Sequence, residues 1–130
     1  MIRILVVDDN EYVRRGVLNI LASNKNLEVC GVAQDGQEAI QKARELAPDL
    51  VLLDISMPGM DGLEAARILR SEIPSARILI MSQHDPIQIL QRVLDAGVQG
   101  CVDKGRLATD LLPCIENIIH SPGMDAGSPG

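Results

Sequence analysis

The stretch that decides the fold covers residues 51–62 and reads VLLDISMPGMDG. Its first half is an apolar run of the kind that forms a buried strand, and this run ends on the carboxylate of Asp54. The second half contains Pro58, Gly59 and Gly62, which are typical of a loop. A buried strand that ends on an acid needs an explanation, and the pattern of the remaining residues supplies one.

Short apolar runs of this kind alternate along the chain with longer amphipathic segments. The predicted strands are residues 2–7, 29–33, 50–54, 77–82 and 100–103. The predicted helices are about residues 11–23, 37–46, 63–72, a segment that opens at Asp85 and Pro86 and closes at Gly97, and residues 109–120. This alternation predicts a three-layer α/β fold, in which a doubly wound, five-stranded parallel sheet lies between helices. The expected strand order is the flavodoxin-like 2-1-3-4-5, which is adopted from that fold class because the residue pattern alone does not specify an order.

The length of 130 residues suits one compact domain, and a hydrophobic content of 46% supplies its core. Because the chain has one Tyr and neither Phe nor Trp, we expect that core to be aliphatic. We predict a domain over residues 1–120 and a flexible linker or tail over residues 121–130, which are rich in Gly, Pro and Ser. Pro113 predicts that the last helix starts late or bends, because proline lacks an amide hydrogen.

Charge and hydropathy exclude several classes of protein. The formal net charge of −6 argues against a nucleic-acid-binding surface, because phosphate contacts need Lys and Arg. No apolar run approaches the roughly 20 residues that span a bilayer, and the start MIRILVVDDN is not a signal peptide. Cys30, Cys101 and Cys114 fit neither a disulfide framework nor a zinc site. We therefore expect a soluble cytoplasmic protein that binds neither nucleic acid nor a membrane through this chain.

Polar residues follow four of the predicted strands. Asp8 and Asp9 follow the first strand, Asp54 ends the third, Ser82 ends the fourth and Lys104 follows the fifth. Because the carboxyl ends of parallel strands meet at one edge, ligands of such folds bind there, at the point where the strand order reverses. Asp54 therefore ends its strand where a ligand site is expected, beside two more acids.

Three carboxylates in one cleft repel each other. Two unit charges about 4 Å apart interact by roughly 4 kcal/mol at an effective dielectric constant near 20. Either a raised pKa on one acid or a bound cation offsets this repulsion. Oxygen ligands suit Mg²⁺, and Mg²⁺ with Lys104 would balance the three negative charges. A phosphoryl group could then approach, and a carboxylate can accept one as an aspartyl phosphate.

Taken together, Asp8, Asp9, Asp54 within DISMPGMDG, Ser82 and Lys104 resemble the site of the receiver domain of two-component response regulators. The resemblance covers about residues 2–120. The run IPSARILIMSQHDPIQILQRVLDAGVQGCVDKG is also similar to receivers that precede a LuxR-type helix-turn-helix domain. The resemblance implies a signalling switch, not an enzyme, and its phosphoryl donor would be the phosphohistidine of a sensor histidine kinase.

The resemblance also implies roles for individual residues. Asp54 would be the phosphoacceptor, Ser82 the switch hydroxyl and Lys104 the lysine that pairs with the phosphate. The implied Mg²⁺ ligands are three acids and one backbone carbonyl: Asp8 (largely through a metal-bound water), Asp9, Asp54 and the carbonyl of Ser56. Output would pass through the surface of helix 4, strand 5 and helix 5, to a homodimer or to an effector domain absent from this chain.

Three positions depart from the family pattern. Cys101 stands where the family usually has Tyr or Phe, so the aromatic half of the usual switch is missing. Gly105 stands where many receivers have Pro, and it leaves the loop freer. Gln83 stands where a small residue is common and narrows access to Asp54, while Ser56 and His84 flank the phosphate and should influence its hydrolysis.

Three other functions are alternatives. A haloacid-dehalogenase-type phosphohydrolase would carry DxD after strand 1, whereas this chain has adjacent acids and no cap domain. A flavin or nucleotide binder would have a loop rich in Ser, Thr and Gly, whereas the loop DDNEYV is acidic. A degenerate receiver that acts only as a scaffold would not need the intact acids, hydroxyl and lysine.

Overall fold

The computed structural model describes residues 1–57, 59–83 and 86–120, and only the backbone of residues 86–90. The strands are β1 (Ile2–Val7), β2 (Leu27–Ala33), β3 (Leu50–Asp54), β4 (Arg77–Ser82) and β5 (Gly100–Asp103). The helices are α1 (Glu11–Ala22), α2 (Gly36–Leu46), α3 (Gly62–Glu72), α4 (Pro86–Asp95) and α5 (Leu107–Ile119), with a 3₁₀ turn at Lys104–Arg106.

The five strands form one parallel sheet in the order β2-β1-β3-β4-β5, which confirms the expected order. The order reverses at β1, which lies between β2 and β3, so the crevice beyond β1 and β3 is the expected ligand site. The register pairs Val7 of β1 with Leu53 of β3. Asp8 and Asp54, which each come one residue later, therefore reach the same edge of the sheet.

Side chains alternate between two apolar cores because successive residues of a strand face opposite sides of the sheet. One core packs against α1 and α5, and its strand residues include Ile4, Val6, Leu50, Leu52, Leu79, Met81 and Val102. The other packs against α2, α3 and α4, and its strand residues include Leu5, Val7, Val51, Leu53, Ile78 and Ile80. Residues 51–53 are 0% exposed, so the quoted stretch begins as a strand that is buried on both faces.

Helix starts follow local capping chemistry. Asn10 accepts hydrogen bonds from the amides of Tyr12 and Val13 at the start of α1. Asp35 accepts one from Glu38 and Asp61 one from Glu64, so α2 and α3 begin at the glycine after each acid. The sequence pattern placed both starts one residue later, because glycine carries no apolar signal.

Other boundaries also differ from the predicted ones. α1 and α5 each end one residue earlier than predicted, at Ala22 and Ile119. β2 begins at Leu27 instead of Val29, because the Ile2 amide donates to the carbonyl of Asn26 and the ladder pairs Ile2 with Leu27. α4 ends at Asp95, two residues before Gly97, whose φ of +74° cannot continue a helix. α5 does not start late, because it begins at Leu107, two residues before the predicted start, and runs through the exposed Pro113 to Ile119. Whether it bends at Pro113 stays a prediction.

Three predictions lie outside the described residues: the opening of the fourth helix at Asp85, the effect of His84 on hydrolysis, and the linker or tail over residues 121–130. The division of the chain at residue 120 therefore stays a prediction. None of the helices in the described part of the chain combines the length and apolar character that crossing a bilayer requires.

Candidate functional site

The strand ends bring three acids together. One carboxylate oxygen from each of Asp8, Asp9 and Asp54 lies within 4.8 Å of the other two. Asp8 is 0% and Asp54 2% exposed, whereas Asp9 is exposed. The predicted cluster therefore forms, but two of its members are buried at the sheet edge and the third faces solvent.

Lys104 joins the two buried acids. Its Nζ lies 2.8 Å from Oδ2 of Asp8 and 3.1 Å from Oδ2 of Asp54, and its side chain is 11% exposed. Burial alone disfavours the charged ammonium, but the bonds to the two carboxylates outweigh it and raise the pKa of Lys104 above its ordinary value. A buried cation therefore bridges both acids and offsets part of their mutual repulsion.

Short backbone contacts hold the acids in place. The Asn10 amide donates to Oδ1 of Asp8 at 2.8 Å, and the Ser56 amide donates to Oδ1 of Asp54 at 3.1 Å. The Asp8 amide donates to the carbonyl of Ala33 at 3.1 Å, which ties the end of β1 to the end of β2. In each buried carboxylate, one oxygen thus accepts a hydrogen bond from a backbone amide, and the other lies against Nζ of Lys104.

Ser82 ends β4 at the same edge and is 0% exposed. The register pairs Met81 with Asp54 and Ser82 with Asp103, the residue before Lys104. Along this edge of the sheet, Ser82 at the end of β4 therefore lies between Asp54 at the end of β3 and Lys104 after β5. The hydroxyl and the lysine that the sequence singled out both reach this edge.

A pocket of about 280 Å³ opens above the cluster. Its lining side chains are Asp9, Asn10, Val13, Asp54, Ser56, Gln83 and Lys104. Asp54 thus faces a space that is also lined by one further acid, one cation and two neutral amide side chains, of which Gln83 is one. Asp8 lies behind this lining.

The pKa of Asp54 is raised from 3.8 to about 6, chiefly because burial disfavours the charged form. The Asp8 carboxylate raises the pKa further, while the Ser56 amide and Lys104 lower it. Either a raised pKa on one acid or a bound cation can offset the repulsion among the three carboxylates. The raised pKa of Asp54 does so without a bound metal ion. At neutral pH most of Asp54 is still ionised.

This pKa predicts a pH-dependent stability for the metal-free protein. Because folding raises the pKa of Asp54, the fold is more stable with this carboxyl group protonated than with it ionised. This contribution to the unfolding free energy is complete below about pH 4 and is lost as the pH rises through about 6. Asp54→Asn, which resembles the protonated carboxyl group, should raise the unfolding free energy by about 3 kcal/mol at pH 8 and by little at pH 4. Urea denaturation in the presence of a chelator measures both values.

The control for this measurement is Glu28→Gln, because Glu28 is exposed on β2 and the substitution changes the net charge equally. It should leave the unfolding free energy nearly unchanged at both pH values. An equal gain for Asp54→Asn at pH 4 and pH 8 would contradict burial of its charge.

The donor set fits a hard divalent cation. It consists of oxygens only, and Mg²⁺ prefers such ligands. Oδ2 of Asp8 is buried and, within the described residues, accepts no hydrogen bond of regular geometry, so its close contact with Lys104 is ionic. This acidic pocket could hold a metal ion.

Sequence reasoning missed two residues of the site. Arg14 on α1 donates from Nη1 to the backbone carbonyl of Asp8 at 2.6 Å and so supports the Asp8–Asp9 peptide. Asn10 caps α1, donates to Asp8 and lines the pocket. Asn10 had a readable signal, a capping residue before an amphipathic segment, whereas no local pattern marks Arg14.

Cys101 packs against the core on the α4 side of β5, where it is half-buried. Burial raises the pKa of its thiol to about 11, with smaller contributions from Cys114 and Asp103. The thiol is therefore protonated and unreactive near neutral pH, as expected of a small buried residue.

Comparison with known proteins gives consistent results. The profile of the response regulator receiver domain matches residues 4–116. The chain is 41% identical over 119 residues to the response regulator GacA of Pseudomonas viridiflava, covering 92% of this chain and 56% of that protein. The chain thus spans about half the length of the curated relatives that it matches.

Two solved structures are also similar. A LuxR-family two-component response regulator from Aurantimonas sp. SI85-9A1 is 33% identical, with a TM-score of 0.86 over 97% of this chain and 94% of that one. The isolated receiver domain of RcsB from Salmonella enterica serovar Typhimurium, solved with the phosphomimetic BeF₃⁻, is 25% identical. Its TM-score is 0.85 over 92% of this chain and 89% of that one.

Proposed function

The chain belongs to the response regulator receiver domain family, and we propose that it is a phosphorylation-dependent signalling switch whose phosphoacceptor is Asp54. One observation carries the proposal: the buried Asp54 carboxylate faces an open pocket while Lys104 bridges it to Asp8. A phosphoryl group entering this pocket meets a carboxylate that can attack it and a cation that can neutralise its charge.

The proposed step exchanges one bond to phosphorus for another. An oxygen of ionised Asp54 attacks the phosphorus, an O–P bond forms, and the P–N bond to the phosphohistidine of a sensor histidine kinase breaks. The electron pair of the broken bond leaves with the imidazole nitrogen, which takes up a proton from solvent. The pKa of about 6 keeps Asp54 mostly ionised at pH 7 or above, as a nucleophile must be.

Three residues assist without reacting. Lys104 stabilises negative charge on the phosphoryl oxygens, because its ammonium already lies 3.1 Å from Asp54. The Ser56 amide orients Asp54 by donating to Oδ1. Ser82 supplies a hydroxyl donor from the end of β4, the role of a switch that follows the phosphoryl group.

The proposed cofactor is Mg²⁺, which supplies electrostatic stabilisation of the transferring phosphoryl oxygens when it is bound. Its ligands would be the acids of the cluster and the backbone carbonyl of Ser56, with Asp8 acting largely through water. Two observations support this assignment: within the described residues Oδ2 of Asp8 has an ionic contact but accepts no hydrogen bond, and the cluster has three acids for one lysine.

Output would pass from the site into the elements that follow it. Ser82 ends β4, and Lys104 starts the 3₁₀ turn that leads into α5, while β5 packs against both α4 and α5. Movement of Ser82 toward a phosphoryl group would shift an existing equilibrium of the α4–β5–α5 surface. That surface would then control a homodimer or a C-terminal helix-turn-helix effector that regulates transcription.

We propose a switch rather than an enzyme, located in the cytoplasm with its sensor kinase. The rival phosphohydrolase would turn over many equivalents of a phosphate ester, whereas a switch accepts one phosphoryl group per chain. The structure of RcsB with a phosphomimetic supports the switch, because a relative was studied in an imitation of its phosphorylated state.

Intact-mass measurement tests the proposed function on the wild-type chain. Incubation with a small acyl phosphate and Mg²⁺ should add one phosphoryl group, and a chelator should prevent the addition. Hydroxylamine should remove it, because an acyl phosphate is cleaved whereas phosphoserine and phosphotyrosine are not. No adduct, or an adduct that survives hydroxylamine, would reject the proposal.

A further inference from the structure

The loop between β3 and α3, residues 55–61, follows Asp54 directly, and Pro58 is not among its described residues. Ile55 is 6% and Met57 9% exposed, so both point into the apolar core below the loop. Ser56 lies between them and is exposed toward the pocket. The Ser56 amide donates to Oδ1 of Asp54 at 3.1 Å, so the backbone of this exposed residue faces the Asp54 carboxylate.

A backbone hydrogen bond from Gly62 joins the two ends of this loop. The Gly62 amide donates to the carbonyl of Ile55 at 2.9 Å. A Cβ atom at position 62 would lie 2.1 Å from the backbone oxygen of Asp54 and 2.6 Å from Cα of Ile55. These atoms belong to the backbone and cannot rotate away, so a side chain at position 62 would displace Asp54 and Ile55 themselves.

A second glycine touches the same loop from the first turn of α2. A Cβ atom at position 36 would lie 3.1 Å from both Cβ and Sδ of Met60. Gly36 is buried, and the flexible Met60 side chain rests against it. The contact at Gly36 is therefore tight but can yield by a small shift.

We propose that Gly62, assisted by Gly36, positions the β3–α3 loop so that Asp54 and the Ser56 backbone can bind Mg²⁺ and accept a phosphoryl group. This inference rests on the proposed function. Gly62 acts through Asp54 and Ser56, since it offers no side chain to a ligand. Groups that orient metal ligands typically change metal affinity by about 10- to 100-fold when they are mutated.

Two other glycines provide matched controls for a substitution to alanine. Nothing lies within 4 Å of a Cβ atom at Gly16 on the exposed face of α1. A Cβ atom at Gly100, at the start of β5 and away from the site, would meet Cδ1 of Ile118 and of Leu79 at 3.2 Å. Gly100→Ala therefore tests the cost of crowding alone.

Calorimetric titration with Mg²⁺, performed well below the unfolding temperature of each variant, tests the inference. Gly62→Ala should weaken Mg²⁺ binding by about ten-fold or more and slow phosphoryl adduct formation. Gly16→Ala and Gly100→Ala should bind within about two-fold of wild type. Wild-type affinity in Gly62→Ala, or an equal loss in Gly100→Ala, would overturn the inference.

A milder variant covers the case in which Gly62→Ala does not fold. Gly36→Ala should weaken Mg²⁺ binding by a few-fold, and adding Met60→Ala should partly restore it, because it removes Sδ and Cγ, two of the three Met60 atoms that the new Cβ would meet. Faster hydrogen exchange of the Ser56 amide in Gly36→Ala, also partly reversed by Met60→Ala, should accompany the loss without metal. Failure of this rescue would overturn the inference.

These outcomes are distinguishable from failure of the proposed function. If the wild-type chain neither binds Mg²⁺ nor forms the adduct, the proposed function fails first. If wild type and Gly16→Ala do both and Gly62→Ala does them equally well, only the role of Gly62 fails.

Discussion

Asp54→Asn is expected to abolish formation of the phosphoryl adduct. The amide is a far weaker nucleophile than the carboxylate, so the rate of adduct formation from a small acyl phosphate with Mg²⁺ should fall by at least about 100-fold. The substitution preserves shape at a site that is 2% exposed, and it should stabilise the metal-free fold at pH 8. A lost adduct in this variant therefore reports chemistry and not unfolding.

The matched control is Asp61→Asn. Asp61 is exposed, belongs to the same loop and caps α3 by accepting from the Glu64 amide at 2.9 Å. Asparagine caps helices about as well as aspartate, and the change in net charge equals that of Asp54→Asn. Asp61→Asn should form the adduct at nearly the wild-type rate. An adduct that persists in Asp54→Asn would place the acceptor elsewhere.

Lys104→Ala is expected to destabilise the metal-free protein by about 3 kcal/mol at pH 8, because it leaves two buried carboxylates without their shared cation. The same substitution should raise the pKa of Asp54 above about 6, since Lys104 lowers it in the wild type. Urea denaturation with a chelator measures the loss of stability. Adduct formation should also slow, because the cation that faces the phosphoryl group is gone.

Arg106→Ala is the control for loss of a cation from the same 3₁₀ turn. Its side chain is 65% exposed and pairs with Asp110 one helical turn away, so its removal should cost less than about 1 kcal/mol. In the double variant Asp54→Asn/Lys104→Ala, the cost of removing Lys104 should shrink, because one of its two partners is then neutral. If removing Lys104 lowered the unfolding free energy equally with and without Asp54→Asn, the result would contradict the ionic contact between Lys104 and Asp54.

Much of the fold was predictable because its signals are local. The apolar run at residues 50–54 and the amphipathic pattern of residues 63–72 each lie within one short window of sequence. The first residues of β2 were missed because Glu28 is exposed and only pairing with β1 makes Leu27 part of the strand. Strand order itself came from the fold class, and the structure confirms it.

The candidate site was predictable as a set of residues because parallel strands end at one edge. Asp8, Asp9 and Asp54 do meet there, with Lys104 beside them. The sequence does not predict that Asp8 is buried while Asp9 is exposed. The two acids are neighbours just after β1, and only the path of the folded chain turns one inward and the other toward solvent. The contact of Arg14 with the Asp8 carbonyl likewise depends on how α1 packs over the end of β1.

The order of residues alone therefore determined the element types, the aliphatic core and the chemical groups at the edge of the sheet. These follow from hydropathy periods and capping residues, which act over a few positions of the chain. Only the tertiary structure decided that Lys104 bridges Asp8 and Asp54, that burial raises the pKa of Asp54, and that Gly62 lies against its backbone. Those properties depend on distances of a few ångströms between segments far apart in the chain, and such distances exist only after the layers have packed.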